Sequence, residues 1–351
     1  MTKILTAINS FPLFNHKTFQ TIIRYILMIL FAFLMFGIIL VIAGKDPIAS
    51  YKDIFTSTLG SAYGFSEVIV SMIPMLLTAL AVALPFQVGL INIGGEGQLF
   101  AGAAFATFGA LNFSDQPAWV LLPLMAVLGM VGGALWAFIP GYLKSIGLVN
   151  ETITSLLLNS VAPKIVGFLI LGYWHSPLET VKTPNFVDAA RLPSFFGTRI
   201  HLGLVIGLVL LVIFWYVMKY TRWGLEMRAI LSNPLAAKRN GISLAKYLVI
   251  GMCLGGAVAG LAGMVQVSGF YGTLFPTFSM GLGFMGFMIC WLAGGNPFGI
   301  VLMAFVVSVI YSGGNLLQLT QGLPYAVINI LLAFTLFIVL AKPNFFKGKK
   351  S

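Results

Sequence analysis

Hydrophobic and polar positions along the chain separate into long apolar runs joined by short polar stretches. A helix needs about 20 apolar residues to cross the hydrocarbon core of a bilayer. Ten runs reach that length: 22–43, 66–87, 91–111, 118–142, 147–171, 201–219, 247–269, 276–294, 298–317 and 324–341. The second and third are nearly fused, as are the eighth and ninth. The first run is too long for the apolar core of a secretory leader and no A-x-A-like site follows it, so it reads as a membrane span.

Glycine and proline interrupt the apolar pattern in both halves. The first half carries Pro74, Pro85 and the Gly94, Gly95, Gly97 cluster; the second carries Pro276, Gly281, Gly283, Gly286 and "AGGNPFG" at 293–299. Interrupted segments in corresponding halves point to a transport site near the midplane. Unwound backbone is tolerated there only where protein buries it or it lines a wet cavity. Tight cytoplasmic turns between antiparallel helices are the alternative. G-x-x-x-G spacing at Gly256/Gly260 and at Gly129/Gly133 predicts close helix packing, within one subunit in preference to a subunit interface.

Composition strengthens this picture. The chain is 59% hydrophobic and 8% charged, with mean hydropathy +0.99, against about 25% charged residues in a soluble domain. The expected fold is an all-α polytopic membrane protein of about ten transmembrane helices in two pseudo-repeated halves. It forms a single transmembrane domain over 1–351, with hydrophilic loops at about 172–200 and about 220–246. The net charge of +11 is carried between the runs and at the termini. That is a topology pattern with a minor role in contacting anionic lipid, and it does not indicate nucleic acid. With both termini cytoplasmic, fourteen Lys and Arg fall inside and five (Lys45, Lys52, Lys182, Arg191, Arg199) outside. This bias sets the expected orientation. Lys164, following Pro163 in the fifth run, fits neither side: it faces the bundle interior, pairs with a carboxylate or, the favoured reading, marks a misdrawn or kinked span.

Few residues could carry chemistry. Cys253 and Cys290 lie in apolar segments as thiols, and His16, His175 and His201 are too scattered for a metal site. No G-x-x-x-x-G-K-[ST] loop, H-E-x-x-H or clustered acid and base set occurs, so an enzyme has little support. Polar side chains inside apolar runs are expensive and therefore informative. Asn92, Glu96 and Gln98 lie in "GLINIGGEGQLFAGA" (89–103); Asn150, Glu151 and Asn159 lie in "GLVNETITSLLLNS" (147–160). Asn150 can cap the fifth helix, with Glu151 at its positive end. Glu96 suits the positive start of the third helix, where the glycines permit a tight turn and close backbone packing. The alternative keeps that motif beside a translocation path. In "TRWGLEMRAILSNPLAAKRNGISLAKY" (221–247), Ser232 or Asn233 is a cap, Pro234 a first residue and Gly241 a terminator. The expected result is a short helix at about 234–240. It is either a handle for a cytoplasmic partner or an ordinary basic loop.

These stretches, with "GGAVAGLAGMVQVSG" and "GFMGFMICWLAGGNPFG", resemble the permease subunits of bacterial ABC importers in the family of ribose, galactose, branched-chain amino acid and nucleoside permeases. "NIGGEGQ" with "NE.IT..LLN" resembles the nucleoside branch. The resemblance implies a multi-pass plasma-membrane permease with no catalytic site or cofactor of its own. ATP and Mg would be held by a partner ATP-binding subunit, of double-domain form. A second related permease and an extracellular substrate-binding lipoprotein would complete the system. The pattern "G…RA…NP.AA...GI" implies an ATPase-coupling loop with Arg228, Asn233, Pro234, Ala236, Ala237 and Gly241. Candidates for the substrate path are Asn92, Gly94, Gly95, Glu96, Gln98, Asn150 and Asn159. The implied substrate is a nucleoside; ribose or another simple sugar is the alternative, and an ion-coupled secondary transporter is a reading of a different class.

Overall fold

The computed structural model describes residues 40–175, 181–195 and 197–322, with the isolated positions 34, 37, 38 and 330. The first and last expected spans lie almost wholly outside these residues. The chain divides into two compact units, Met1–Gly60 with Ile310–Ser351, and Ser61–Val309. In the first unit, helix α1 (Pro47–Thr58) starts at Asp46, whose carboxylate accepts from the amides of Ile48 (2.8 Å) and Ala49 (3.3 Å). Leu40, Ile54 and Leu317 form its buried cluster. At 12 residues with Lys52 and Asp53 on it, α1 is too short and too polar to register as an apolar run.

The second unit holds helices α2 (Ala62–Phe86), α3 (Gly95–Asn112), α4 (Ala118–Ser145), α5 (Glu151–Gly172), α6 (Gly203–Tyr220), α7 (Arg222–Ser232), α8 (Pro234–Arg239), α9 (Leu244–Val265) and α10 (Leu282–Leu292), and the start of α11 (Pro297–Gln321). α9 continues into a π-helical turn, Gln266–Tyr271. Among the described residues there is no β-strand, only an isolated bridge between Ser194 and His201.

Among the described residues six helices are long and apolar enough to cross a membrane: α2, α4, α5, α6, α9 with its π turn, and α11. The expected third and eighth spans do not join them. Helix α3 starts at Gly95 rather than 91, and Glu96, Gln98 and Asn112 lower its apolar character. The eighth run reduces to the 11 residues of α10. Its first part is irregular because Met280 and Gly281 take positive φ (47° and 86°), which a helix does not accommodate. Expecting a full span at 276–294 is therefore incorrect. Of the expectations at Lys164, a misdrawn span is incorrect, because α5 runs unbroken through Pro163 and Lys164.

Helix α2 is the buried axis of the second unit, packed by α6, α9 and α10. Helices α3, α4 and α9 cross where side chains vanish. A Cβ added at Gly133 would stand 2.1 Å from the Gly256 carbonyl oxygen, one at Gly260 2.1 Å from that of Gly129, and one at Gly102 2.1 Å from the Cα of Gly260. The two G-x-x-x-G pairs therefore pack against each other inside one subunit. Such backbone approach supplies dispersion contacts where lipid offers no hydrophobic drive between helices. Helix α5 is different. Its buried residues Glu151, Ser155, Asn159, Ala162, Val166 and Ile170 form one stripe, leaving the rest of its surface uncovered.

Candidate translocation site

Glu96 lies in the first turn of α3 and is buried. Its carboxylate accepts from the amides of Gly283 (2.8 Å) and Gly281 (3.3 Å) at the start of α10. The hydroxyl of Ser279 and the amide of Phe284 face the same group. Among the described residues no cation pairs with it; backbone N–H groups and the positive ends of two helices, α3 and α10, face the carboxyl instead. The glycines allow this approach, since a Cβ at Gly283 would stand 2.2 Å from the Glu96 nitrogen. The two interrupted segments of the sequence therefore meet at one carboxylate, but the amides that Glu96 receives belong to a helix 185 residues away.

The meeting point is well inside the bundle. Thr78, which donates to the Leu282 carbonyl (3.2 Å), is the seventeenth of the 25 residues of α2. Asn159, on the other side, is the ninth of 22 in α5. The 11 residues of α10 give about 16 Å of helix, roughly half of a ~30 Å core. The start of α3 is thus not a turn at the membrane surface: residues 87–94 run inward as irregular chain. The positive-φ glycine of that stretch is Gly89 (81°), while Gly94 takes φ −73° as the N-cap of α3 and serves close packing against Ser155.

The other polar candidates hold this re-entrant chain in place. The side-chain amides of Asn92 and Gln98 bond each other reciprocally, both at 3.0 Å, and the Asn92 oxygen also accepts from the Gly94 amide (3.0 Å). Asn159 reaches across from α5, accepting from the Gly97 amide and donating to the Ile93 carbonyl, each at 2.8 Å. Gly95 packs on Gly283. Asn150 caps α5 from an exposed position (Thr152 amide, 2.8 Å) and stands apart from the cluster. Its neighbour Glu151 pairs with Lys144 of α4 (2.7 Å). Polar groups that satisfy one another in this way are committed to the fold. Nothing local in the sequence singles out Gly281 and Gly283 as partners of Glu96; their appearance as helix breakers was the available signal.

The chain after residue 180 is strapped to the π turn. Thr183 bonds Leu274 through backbone and side chain (3.0 Å each) and touches the Thr273 hydroxyl (3.1 Å). Ser268 donates to the Ala190 carbonyl (2.5 Å), and Arg199 pairs with Glu67 (3.1 Å) and lies 4.5 Å over the Phe270 ring. His201 is packed against Gly203 and Gly269. Its Nδ1 accepts from the Gly203 amide (3.2 Å), Nε2 has no hydrogen-bond partner among the described residues, and burial pushes the imidazole down to about 4.

The loop between α6 and α9 forms two helices where one was expected. Asn233 caps α8 (Ala236 amide, 3.0 Å), Pro234 is its first residue, and Gly241 (φ 82°) follows its end. Ala237 is buried, whereas Leu235 is 71% exposed. Ala236, Lys238 and Arg239 are also exposed. Arg228 donates to the Met218 carbonyl at the end of α6, so it fastens the arm. Glu226 receives the Tyr247 hydroxyl and pairs with Arg222 (2.7 Å), contacts that hold its carboxyl below the ordinary range.

A helical membrane bundle with paired broken helices and a projecting two-helix arm is the architecture of a permease. Residues 64–340 match the family described as branched-chain amino acid transport system / permease component. The chain is 35% identical over 334 residues to a glucose ABC transporter permease protein of Haloferax volcanii, covering 92% of this chain and 87% of that one. It is 33% identical over 339 residues to a nucleoside ABC transporter permease protein of Lactococcus lactis subsp. cremoris (93% of each). It is 32% identical over 311 residues to a guanosine ABC transporter permease protein of Bacillus subtilis (86% and 88%). The chain belongs to this permease family and is a multi-pass membrane protein.

Proposed function

We propose that this chain is the permease subunit of an ATP-driven importer that carries nucleosides across a bacterial plasma membrane. The observation that carries the substrate is the full-length similarity to permeases named for nucleosides and for guanosine, in agreement with "NIGGEGQ" and "NE.IT..LLN". The α7–α8 arm is the contact for a separate ATP-binding subunit, of double-domain form, which holds ATP and Mg. A second, related permease and a substrate-binding lipoprotein complete the system. With both termini cytoplasmic, the arm lies on the ATPase side and the strap at 181–202 on the receptor side. The Glu96 junction lets α3 and α10 move as one when the arm is driven.

A simple sugar is the second reading, favoured by the 35% identity to a glucose permease. Glucose, ribose and nucleosides share vicinal hydroxyls; they differ in the base. A site built to hydrogen-bond the base rejects a solute lacking it by large factors. Competition in cells decides between them. Excess unlabelled guanosine or adenosine should abolish uptake of labelled nucleoside dependent on this chain while glucose and ribose leave it intact; the reverse order would replace the substrate.

A further inference from the structure

Helix α5 shows one stripe to its own subunit, and its opposite face carries a charge. Ser160 and Lys164, one turn apart, are both exposed, and residues at this spacing share a helix face. Lys164 has no ion pair or hydrogen bond among the described residues. It is the fourteenth of 22 residues in a helix of membrane-crossing length. The nearer helix end, Gly172, is eight residues away, about 12 Å. A side chain on a helix leans towards the N-terminus, which here is the farther end. Snorkelling to the nearer interface is therefore disfavoured, and an ammonium facing lipid at this depth costs several kcal/mol.

A second observation marks the same region. Gly167, on the next turn after Lys164, lies against the broken segment before α10: a Cβ there would meet the Pro276 ring at 3.9 Å. That segment is irregular and exposes Thr277, Met280 and, in the first turn of α10, Phe284. Non-helical backbone at membrane depth does not face lipid; it is buried by protein or lines water. A mid-span lysine and irregular backbone thus adjoin on one uncovered surface.

We infer that this surface, the Ser160–Lys164 face of α5 with residues 276–284 beside it, is a wall of the aqueous translocation path. The inference rests on the importer reading and adds what it leaves open: which face of the subunit meets the solute. The Lys164 ammonium offers three donors and no acceptor. It suits passing hydroxyl and carbonyl oxygens of a neutral polar solute and repels cations. The candidates in the Asn92–Gln98 cluster, bonded to one another, would then support the wall from behind.

Cysteine accessibility in the assembled transporter tests this directly. Ser160→Cys, Lys164→Cys and Thr277→Cys are compared with Val212→Cys, on the exposed apolar face of α6. The wild type gives the background from Cys253 and Cys290. A charged, membrane-impermeant methanethiosulfonate should label the three wall positions about tenfold or more faster than Val212→Cys. Ser160→Cys removes no charge and keeps the test open if Lys164→Cys fails to insert. Labelling of Ser160→Cys and Lys164→Cys no faster than Val212→Cys would overturn the inference. Labelling is read without solute, so the substrate is judged separately. Fast labelling in a transporter that takes up no nucleoside removes the substrate and leaves the wall, whereas slow labelling with normal uptake removes the wall alone.

Discussion

Glu96 sits in the first turn of α3 and accepts from the amides at the start of α10, so its substitutions should separate charge from shape. Glu96→Gln keeps one acceptor oxygen and loses the charge and the second acceptor. Lost charge-assisted bonds of this type are worth about 1.5–3 kcal/mol. The purified variant should melt lower than wild type yet keep measurable uptake; complete loss of uptake at normal expression would assign Glu96 a direct role. His201 supplies a pH test. The folded chain holds its imidazole neutral, at about 4 against an ordinary 6.5. Stability from this burial is therefore complete above about pH 6.5 and lost as pH falls towards 4, on the order of 3 kcal/mol in all. The melting temperature of wild type should drop between about pH 7 and about pH 5 by more than that of His201→Gln; equal drops would contradict the assignment. Caps at Asn150 and Asn233 were legible in the sequence because a cap is a local pattern. The acceptance of Gly281 and Gly283 by Glu96 was not, because nothing within a few residues of either position reports on a contact 185 residues away.

Among elements, long apolar helices were legible from run length, and the G-x-x-x-G pairs from spacing. What run length could not show was interruption by φ. Residues 276–294 read as one apolar run, and the positive φ of Met280 and Gly281 confines the helix to Leu282–Leu292. The glycine crossing of α4 and α9 predicts that Gly260→Ala costs about 1–3 kcal/mol by overpacking, since its Cβ would stand 2.1 Å from the Gly129 oxygen. Thermal denaturation should show this, and an unchanged melting temperature would mean the helices do not pack so closely. The arm refines the coupling residues. Ala237 is buried, so a bulky residue there displaces α8 from its seat. Leu235 is exposed and free of that confusion. Leu235→Asp should lower ATP-dependent uptake at least several-fold with normal insertion; unchanged uptake and ATPase coupling would remove the docking role of α8.

For the whole molecule, the polytopic helical class was legible from composition, and the permease family from motifs spread over most of the chain. The site was only half legible. The sequence motif gathers Asn92, Glu96 and Gln98 within seven residues, but the bonding of Glu96 to α10 and of Asn159 to the backbone of Ile93 and Gly97 depends on how the helices fold together. The number of spans was overestimated within the described residues because a half-length helix and its broken lead-in together read as one apolar run of spanning length.

The central claim is that this chain serves ATP-driven nucleoside import, and uptake by whole cells tests it most directly. Cells lacking the chain are compared with cells in which it is restored, using labelled guanosine with and without energy depletion. The account predicts saturable uptake that appears only with the chain, disappears when ATP is depleted even under an imposed ion gradient, and is displaced by unlabelled nucleosides but not by glucose. Uptake that survives ATP depletion on an ion gradient, or that glucose displaces and nucleosides do not, would contradict it.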